Sequence, residues 1–311
     1  MTDEPKILVV GSINMDLVVR SPHMPVPGET VLGESFATSP GGKGANQAVA
    51  AARLGAHCCF LGRVGDDEFG RELLANLRAE KIDCTNVIAT ADVATGVAMI
   101  VVDSRGENSI VVASGANYRL TPDDVFGRSR AFEEADAVVL QLELPLPTVR
   151  AAIDLAKRHG CKVILDPAPA PSRLPAALCE VDVISPNVTE AELLTGSKTG
   201  EERADKNIAL DLIARGALAA VLKLGARGSM VVTADGHMAR IPAYDVNIVD
   251  TTGAGDAFTA ALAVSVARGE DLRTAARLAN AAGALACTKL GAQSAMPTAA
   301  EVGILMDDQP V

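Results

Sequence analysis

Between Val249 and Phe258 the chain reads VDTTGAGDAF, and an alanine-rich helical pattern follows. Three small residues, Gly253, Ala254 and Gly255, stand between Asp250 and Asp256. Successive backbone N–H groups at such a helix entrance can form an anion hole. Asp256 falls in the first helical turn, where the positive end of the helix dipole favours an ionised carboxylate able to take a proton near neutral pH. A base beside an anion hole suits phosphoryl transfer: the carboxylate accepts a hydroxyl proton while the N–H groups hold the migrating phosphoryl charge. The same residues also allow a plainer reading, in which Thr252 or Asp256 caps the helix and the glycines turn the chain.

A second stretch, PGGKGANQAVAAARLG, places Gly41 and Gly42 before a helix and Lys43 in its first turn. A cation there opposes the helix dipole, so it is a poor capping choice. Paired glycines would bring backbone N–H groups close to a ligand; a tight turn carrying a solvated lysine is the alternative. Familiar motifs are missing. Gly44 stands where a nucleotide-binding P-loop needs Ser or Thr, no G-x-G-x-x-G follows the first apolar run, and the four histidines are scattered.

The elements that must position these residues follow from the alternation of apolar runs and amphipathic segments. KILVVGSIN, CCFLGRVG, DAVVLQLE, CKVILDPAP, VDVISPN and LAAVLKLG read as strands. Helices are expected at 43–54, 68–79, 147–158, 190–194 and 202–215, and two long ones, 256–268 and 272–290, at the end of the chain. Strands apolar on both faces, alternating with helices, predict an α/β fold with a mainly parallel central sheet covered on both sides. Two segments, 15–38 and 95–113, lack a crossover helix and read as a small projecting β-sheet, a lid or a dimer surface. Val18, Val97, Met99 and Val101 are expected on its exposed apolar face. The whole of 1–311 is expected to form one domain carrying this lid.

Ligands of parallel α/β sheets bind beyond the carboxyl ends of the strands. Polar residues recur there: Asn14 and Asp16, Glu143, Asp166, then Asn187 and Glu190, with Ala226 to Gly228 after the strand that ends near Lys223. Any one of them fits turn chemistry; the set points to a site along one edge of the sheet.

Composition narrows the ligand. With 311 residues, 49% hydrophobic and 22% charged, the chain can bury a large core, and aromatics at 3% leave that core to Ala, Val, Leu and Ile. The net charge of −11 and the absence of a Lys/Arg run argue against nucleic-acid binding. Six cysteines without a C-x-x-C pair, and an acidic start with neither a basic n-region nor an apolar h-region, predict a cytoplasmic protein.

Taken together, the chain resembles the ribokinase branch of the ribokinase/phosphofructokinase-B family of sugar kinases over almost its whole length. PGGKGANQAVAAARLGA matches the first family signature, DTTGAGDAF the second, and SPNVTEAELLTG the N-x-x-E motif. The resemblance implies an ATP-dependent kinase that phosphorylates the 5-hydroxyl of D-ribose. Asn14, Asp16, Gly42, Lys43, Asn46 and Glu143 would hold the sugar, with Asp256 as base and Gly253, Ala254 and Gly255 as anion hole. Asn187 and Glu190 would organise Mg²⁺ and the ATP phosphates. Lys223, Gly225, Ala226 and Gly228 would border the nucleotide, with Gly255 at its phosphates and Asn280 near the adenine. Asp250, Thr252 and the carbonyls of Ala286, Lys289 and Gly291 would bind an activating K⁺. Ala295 completes that cation set at a position where such kinases often carry Ser, with Ser294 beside it. Asn280 stands where a His is common. The family's lid also pairs two subunits, implying a homodimer. A sister kinase for deoxyribose, a ketohexose or a nucleoside is the alternative, and a non-catalytic sugar-binding regulator the remaining one.

Overall fold

The computed structural model describes residues 4–310; the Met1–Asp3 start, part of the stretch read as lacking a leader, lies outside them. The first strand, β1 (Lys6–Val10), sends Ile7 and Val9 into one hydrophobic cluster and Leu8 and Val10 into another. A continuous apolar run is therefore what this strand requires, because helices cover both faces of the sheet. The chain leaves the main sheet through β2 (Asn14–Arg20) and β3 (Ser35–Gly41), then returns as α1 (Lys43–Arg53) and β4 (His57–Gly65). Helix α2 (Glu68–Ala79), capped by Asp67, leads to β5 (Asp83–Thr90), which the sequence reading had not anticipated. A second excursion forms the hairpin β6 (Gly96–Val102) and β7 (Asn108–Ala113).

Short helices α3 (Pro122–Phe126) and α4 (Ser129–Glu133) precede β8 (Ala137–Leu140), α5 (Leu146–His159) and β9 (Lys162–Leu165). Then come the two-residue β10 (Val183–Ile184), α6 (Val188–Thr195), α7 (Glu202–Ala214) and β11 (Ala219–Lys223). An antiparallel hairpin, β12 (Ser229–Thr233) and β13 (Met238–Ile241), follows. The last helices are α8 (Ala254–Ala267), α9 (Leu272–Ala286) and α10 (Ala299–Asp308).

The nine-stranded sheet has the order β13-β12-β11-β10-β9-β8-β1-β4-β5 and is parallel from β11 through β5. Only the β12–β13 edge is antiparallel. A separate four-stranded sheet, β3-β2-β6-β7, is built from the two excursions. Its central pair, β2 and β6, is parallel, so the sheet is mixed. In this sheet Val18, Val97 and Val101 are half-buried and, of the four expected residues, only Met99 is exposed; Phe36, Ile110, Val111 and Val112 are the other large exposed apolar residues.

Two expectations about the C-terminal part are corrected. The helix expected to reach Leu290 stops at Ala286, where the Cys287 carbonyl is drawn to the N–H groups of Val249 and Asp250. Nor do two helices end the chain: α10 follows, started by a capping box between Thr298 and Glu301. No helix among the described residues is long and apolar enough to cross a membrane.

Candidate active site

The glycines before α1 act first through space. Gly42 is the N-cap residue at φ 89°, a left-handed conformation that glycine adopts without strain. A Cβ on it would lie 2.7 Å from the Asn14 nitrogen, and one on Gly41 would strike the Asp16 carboxylate. The helix entrance is thus pressed onto the end of β1, and the Lys43 N–H donates to Glu143 Oε2 at 3.2 Å. Ser12 joins the two elements, donating through Oγ to Glu143 and accepting from the Gly44 N–H.

Asn14 is buried, and its Oδ1 accepts from Asn117 Nδ2 at 2.7 Å. Asn117 also bonds both backbone groups of Ile13. This fixes the Asn14 amide with its own N–H₂ group left to donate. The Asp16 carboxylate has no partner among the described residues. Burial first, then the nearby charges of Glu143 and Asp256, push its pKa up to about 7. Burial also works against the Lys43 ammonium, but Asp256, Asp166, Glu143 and Glu190 outweigh it and hold that ammonium protonated well above the usual lysine range. A cation ringed by carboxylates and an unpaired carboxylate are what a polyhydroxyl ligand needs: acceptors for its O–H groups and a donor for its oxygens.

Asp256 is the third residue of α8 and 6% exposed. It does not cap the helix: the N-cap is Gly253, without a side-chain capping bond. Its two oxygens are claimed by α1 instead, Oδ2 by Asn46 Nδ2 at 2.9 Å and Oδ1 by Gln47 Nε2 at 3.0 Å. Asn46, expected on the sugar, holds the Asp256 carboxylate in this structure. Burial outweighs the stabilisation expected from the helix dipole. Burial dominates and raises the Asp256 pKa, opposed by Lys43 and the two amide donors and reinforced by Asp166. A raised pKa makes the ionised form a stronger proton acceptor.

At the α8 entrance, Gly253 has φ 77°, and a Cβ there would approach Met296 and Ala292. The Ala254 N–H is turned back to the Thr251 carbonyl at 3.2 Å. The N–H groups of Gly253, Gly255 and Asp256 have no backbone acceptor, so Asp256 replaces Ala254 in the expected trio of free donors. A cavity of about 320 Å³ opens beside them. Asn187, Lys223, Gly225, Ala226, Gly228, Gly255 and Asn280 all line it, with apolar walls from Tyr244, Val246, Ile248 and Phe258. Glu190 is not among the lining residues but is bonded to Asn187, which is. The Asn187 Oδ1 accepts from the Glu190 N–H, while the Glu190 carboxylate accepts from the Asn187 N–H and Nδ2, a capping box on α6. Burial lifts the Glu190 pKa above its usual range, against the pull of Lys223. Asn280 Nδ2 is spent on the carbonyls of Ile241 and Pro242, which leaves its Oδ1 as the group it offers the cavity.

Behind the α8 entrance, Asp250 accepts from the Thr252 N–H and hydroxyl and from the Gly291 N–H, and these bonds hold its pKa down against its own burial. The carbonyls of Ala286, Lys289 and Gly291 accept no hydrogen bond among the described residues. Ala295 is fully buried and offers only its main chain. The Ser294 hydroxyl donates to the Leu290 carbonyl.

Several residues of the site carried no assigned role in the sequence. Ser12, Gln47, Asn117, Gln141 and Thr259 reach it from separate elements, and Asp166, noted only as a strand-end polar residue, lies at its centre. Gln47 alone had a visible signal, its place beside Asn46 in the first glycine-rich stretch.

Known proteins resemble this chain over almost its whole length. The family model described as pfkB family carbohydrate kinase matches residues 4–299. The ribokinase of Bacillus subtilis (strain 168) is 42% identical over 300 residues, covering 96% of this chain and 99% of that one. The deoxyribokinase of Salmonella typhi is 38% identical over 293 residues, covering 94% and 95%. Among solved structures, Arabidopsis thaliana ribokinase complexed with ribose and ATP superposes with a TM-score of 0.90 at 32% identity, covering 97% of this chain and 99% of that one. With both glycine-rich stretches folded around one buried carboxylate and the match running almost end to end, the chain belongs to the pfkB family of carbohydrate kinases.

Proposed function

We propose that this chain is an ATP-dependent kinase that transfers the γ-phosphoryl group to the 5-hydroxyl of D-ribose, giving D-ribose 5-phosphate and ADP. The observation that carries this reading is the position of Asp256. Its carboxylate is clamped by Asn46 and Gln47 within reach of the charges of Lys43 and Asp16, and it follows Gly255, which lines the cavity at the α8 entrance. Asn14, Asp16, Lys43 and Glu143 orient the sugar, and Asp256 takes the hydroxyl proton as the oxygen attacks. The N–H groups of Gly253, Gly255 and Asp256 hold the charge that develops on the transferring group. The 320 Å³ cavity takes the adenine and ribose of ATP between apolar walls.

Asn187 and Glu190 would hold Mg²⁺ through Glu190 and ordered water. One carboxylate fits an ion that takes most of its ligands from phosphate and solvent. Bound there, Mg²⁺ neutralises phosphate charge. Asp250 and the unpaired carbonyls of Ala286, Lys289 and Gly291 fit a monovalent cation such as K⁺, with Thr252 beside them and Ala295 contributing no side chain. Such an ion stiffens the loop behind the α8 entrance.

Residues 15–38 and 95–113 form the lid of a single kinase domain spanning 1–311. Register places Asp16, Val18, Ile100, Ile110 and Val112 on one face and Leu17, Phe36, Met99 and Val111 on the other. The first face closes over the sugar. The second, with Phe36, Met99 and Val111 each more than 60% exposed, pairs with the lid of another copy in a homodimer. The six unpaired cysteines suit the reducing cytoplasm.

A panel of ribose, 2-deoxyribose, fructose and nucleosides with Mg-ATP, read as ADP release, tests the reading. The highest kcat/KM is expected for ribose. The 38% identity to a deoxyribokinase makes 2-deoxyribose the second acceptor to compare. Sugar binding without ADP release would make the chain a non-catalytic regulator.

A further inference from the structure

Lys223 was expected to border the nucleotide. It does line the nucleotide cavity, but its ammonium group is committed elsewhere. Nζ pairs with Asp166 Oδ1 at 2.9 Å and donates to Thr259 Oγ1 at 3.4 Å. The other oxygen of Asp166 accepts from Gln47 Nε2 at 2.9 Å and from the Thr259 hydroxyl at 3.3 Å. The second N–H of that same Gln47 amide goes to Asp256 Oδ1 at 3.0 Å, and its Oε1 accepts from Gln141 Nε2 at 2.6 Å. A continuous line of contacts therefore runs from Lys223 through Asp166 and Gln47 to the proton-accepting carboxylate.

We propose that Lys223, Asp166 and Gln47 form a positioning device for Asp256, in which Lys223 is the counter-charge that lets a second buried carboxylate hold Gln47 on the base. The proposal rests on the assignment of Asp256 as the base. The amide geometry supports it. Gln47 has two N–H donors and meets two carboxylates; flipped, it would aim its oxygen at both. Gln141, just past β8, donates to Oε1 and so matches that orientation. Charge supports it too. Asp166 is 1% exposed, and an unpaired buried carboxylate is strongly disfavoured. Without Lys223, Asp166 would meet that cost by binding a proton or by raising the proton affinity of Asp256 further. Either change disturbs the bond that orients the base. Other charged groups act on Asp256 from neighbouring elements, Lys43 of α1 and Asp16 of β2, while Glu143 after β8 and Glu190 of α6 act on Lys43. None of these bonds Gln47. Asp166 alone shares an amide with the base.

The test is a charge-balanced pair of variants, measured beside the wild type on ribose and ATP. Lys223→Gln removes the charge and keeps a donor for Asp166. At pH 7 it should lower kcat by about tenfold or more, with the KM for ATP changed by less than about threefold, and move the acid limb of kcat to higher pH. Adding Asp166→Asn to that variant restores neutrality and leaves an oxygen for Gln47. Coupling between residues of one network predicts recovery of kcat and of the acid limb to within about threefold of the wild type. A Lys223→Gln variant with unchanged kcat overturns the proposal. So does one whose ATP KM rises and stays raised in the double variant, because Lys223 would then be a nucleotide contact. Gln47→Leu gives an independent reading: kcat should fall by about tenfold or more with both KM values kept. An unchanged kcat and acid limb there overturns the proposal whatever Lys223→Gln does. A wild type that phosphorylates no sugar would refute the function itself, an outcome distinct from all of these.

Discussion

The two ends of the cleft meet at Asp256 and are built on opposite principles. At the sugar end the side chains are charged, held in fixed orientations and arranged before any ligand arrives: Asn117 sets Asn14, Ser12 sets Glu143, and Asn46 with Gln47 sets Asp256. At the nucleotide end the walls are mostly apolar, and the donors are backbone N–H groups at a helix entrance. In the proposed function, the first end would discriminate by hydrogen-bond direction and charge, and the second would accept a flat base by shape and hold phosphate by geometry that needs no particular side chain. Function therefore depends on a few side chains at one end and on backbone path at the other.

The strongest way to break this contrast is Asp256→Asn, which keeps size and most hydrogen bonding but removes the proton acceptor. The kcat should fall by about 10²–10⁴-fold, while calorimetry still detects ribose and ATP binding. A near-normal kcat would mean the proton leaves by another route.

Asp16→Ala comes next. Loss of a charge-assisted hydrogen bond should weaken ribose binding by roughly 1.5–3 kcal/mol and leave the KM for ATP alone. Deoxyribose should suffer less if its missing hydroxyl is the partner of Asp16. Equal losses for both sugars would move that contact to another hydroxyl.

The opposite end is probed by volume. Ala284 lines the nucleotide cavity and is half-buried. Ala284→Phe fills part of it, and overpacking of about 1–2 kcal/mol predicts an ATP KM about fivefold to thirtyfold higher, with the ribose KM kept. A change in both KM values would show that the two ends are not independent.

The smallest effect sharpens the comparison through pH. The Asp16 pKa, pushed up to about 7 by burial and by Glu143 and Asp256, lies above its usual value of 3.8. The folded, ligand-free protein therefore binds more protons than the unfolded chain between those two values. The stability contributed by Asp16 is present below about pH 4 and is lost as pH rises through about 7. Asp16→Asn should raise the ligand-free melting temperature by a few degrees at pH 8 and leave it nearly unchanged at pH 4. Ala284→Phe, which involves no titrating group, should show no such pH dependence. Parallel melting curves for the wild type and Asp16→Asn across that range would remove the burial cost assigned to Asp16.

Much of the cleft was legible because its signals are local. Gly42 and Gly253 announce backbone turns, the run after Gly253 announces a helix, and the polar residues after successive strands announce one edge of a parallel sheet. The hairpin of β12 and β13 was missed because its strands are only five and four residues long and lie between glycine turns, so neither run stands out. The end of α9 was misplaced because Cys287 to Leu290 continue an apolar helical pattern, while their backbone is diverted to Val249 and Asp250.

By itself the sequence determined the alternating α/β order, the two glycine-rich helix entrances, the extra β excursions and the identity of the carboxylate at the head of α8. Each depends on backbone freedom or on a period of a few residues. Only the tertiary structure decided that Asp256 is clamped by α1 rather than capping its own helix, that its pKa is raised rather than lowered, and that Lys223 faces Asp166. Those properties come from pairs such as Gln47 with Asp256 or Lys223 with Asp166, 209 and 57 residues apart along the chain. No local pattern encodes them, because burial and partner charge exist only once the strand ends and the two helices have packed together.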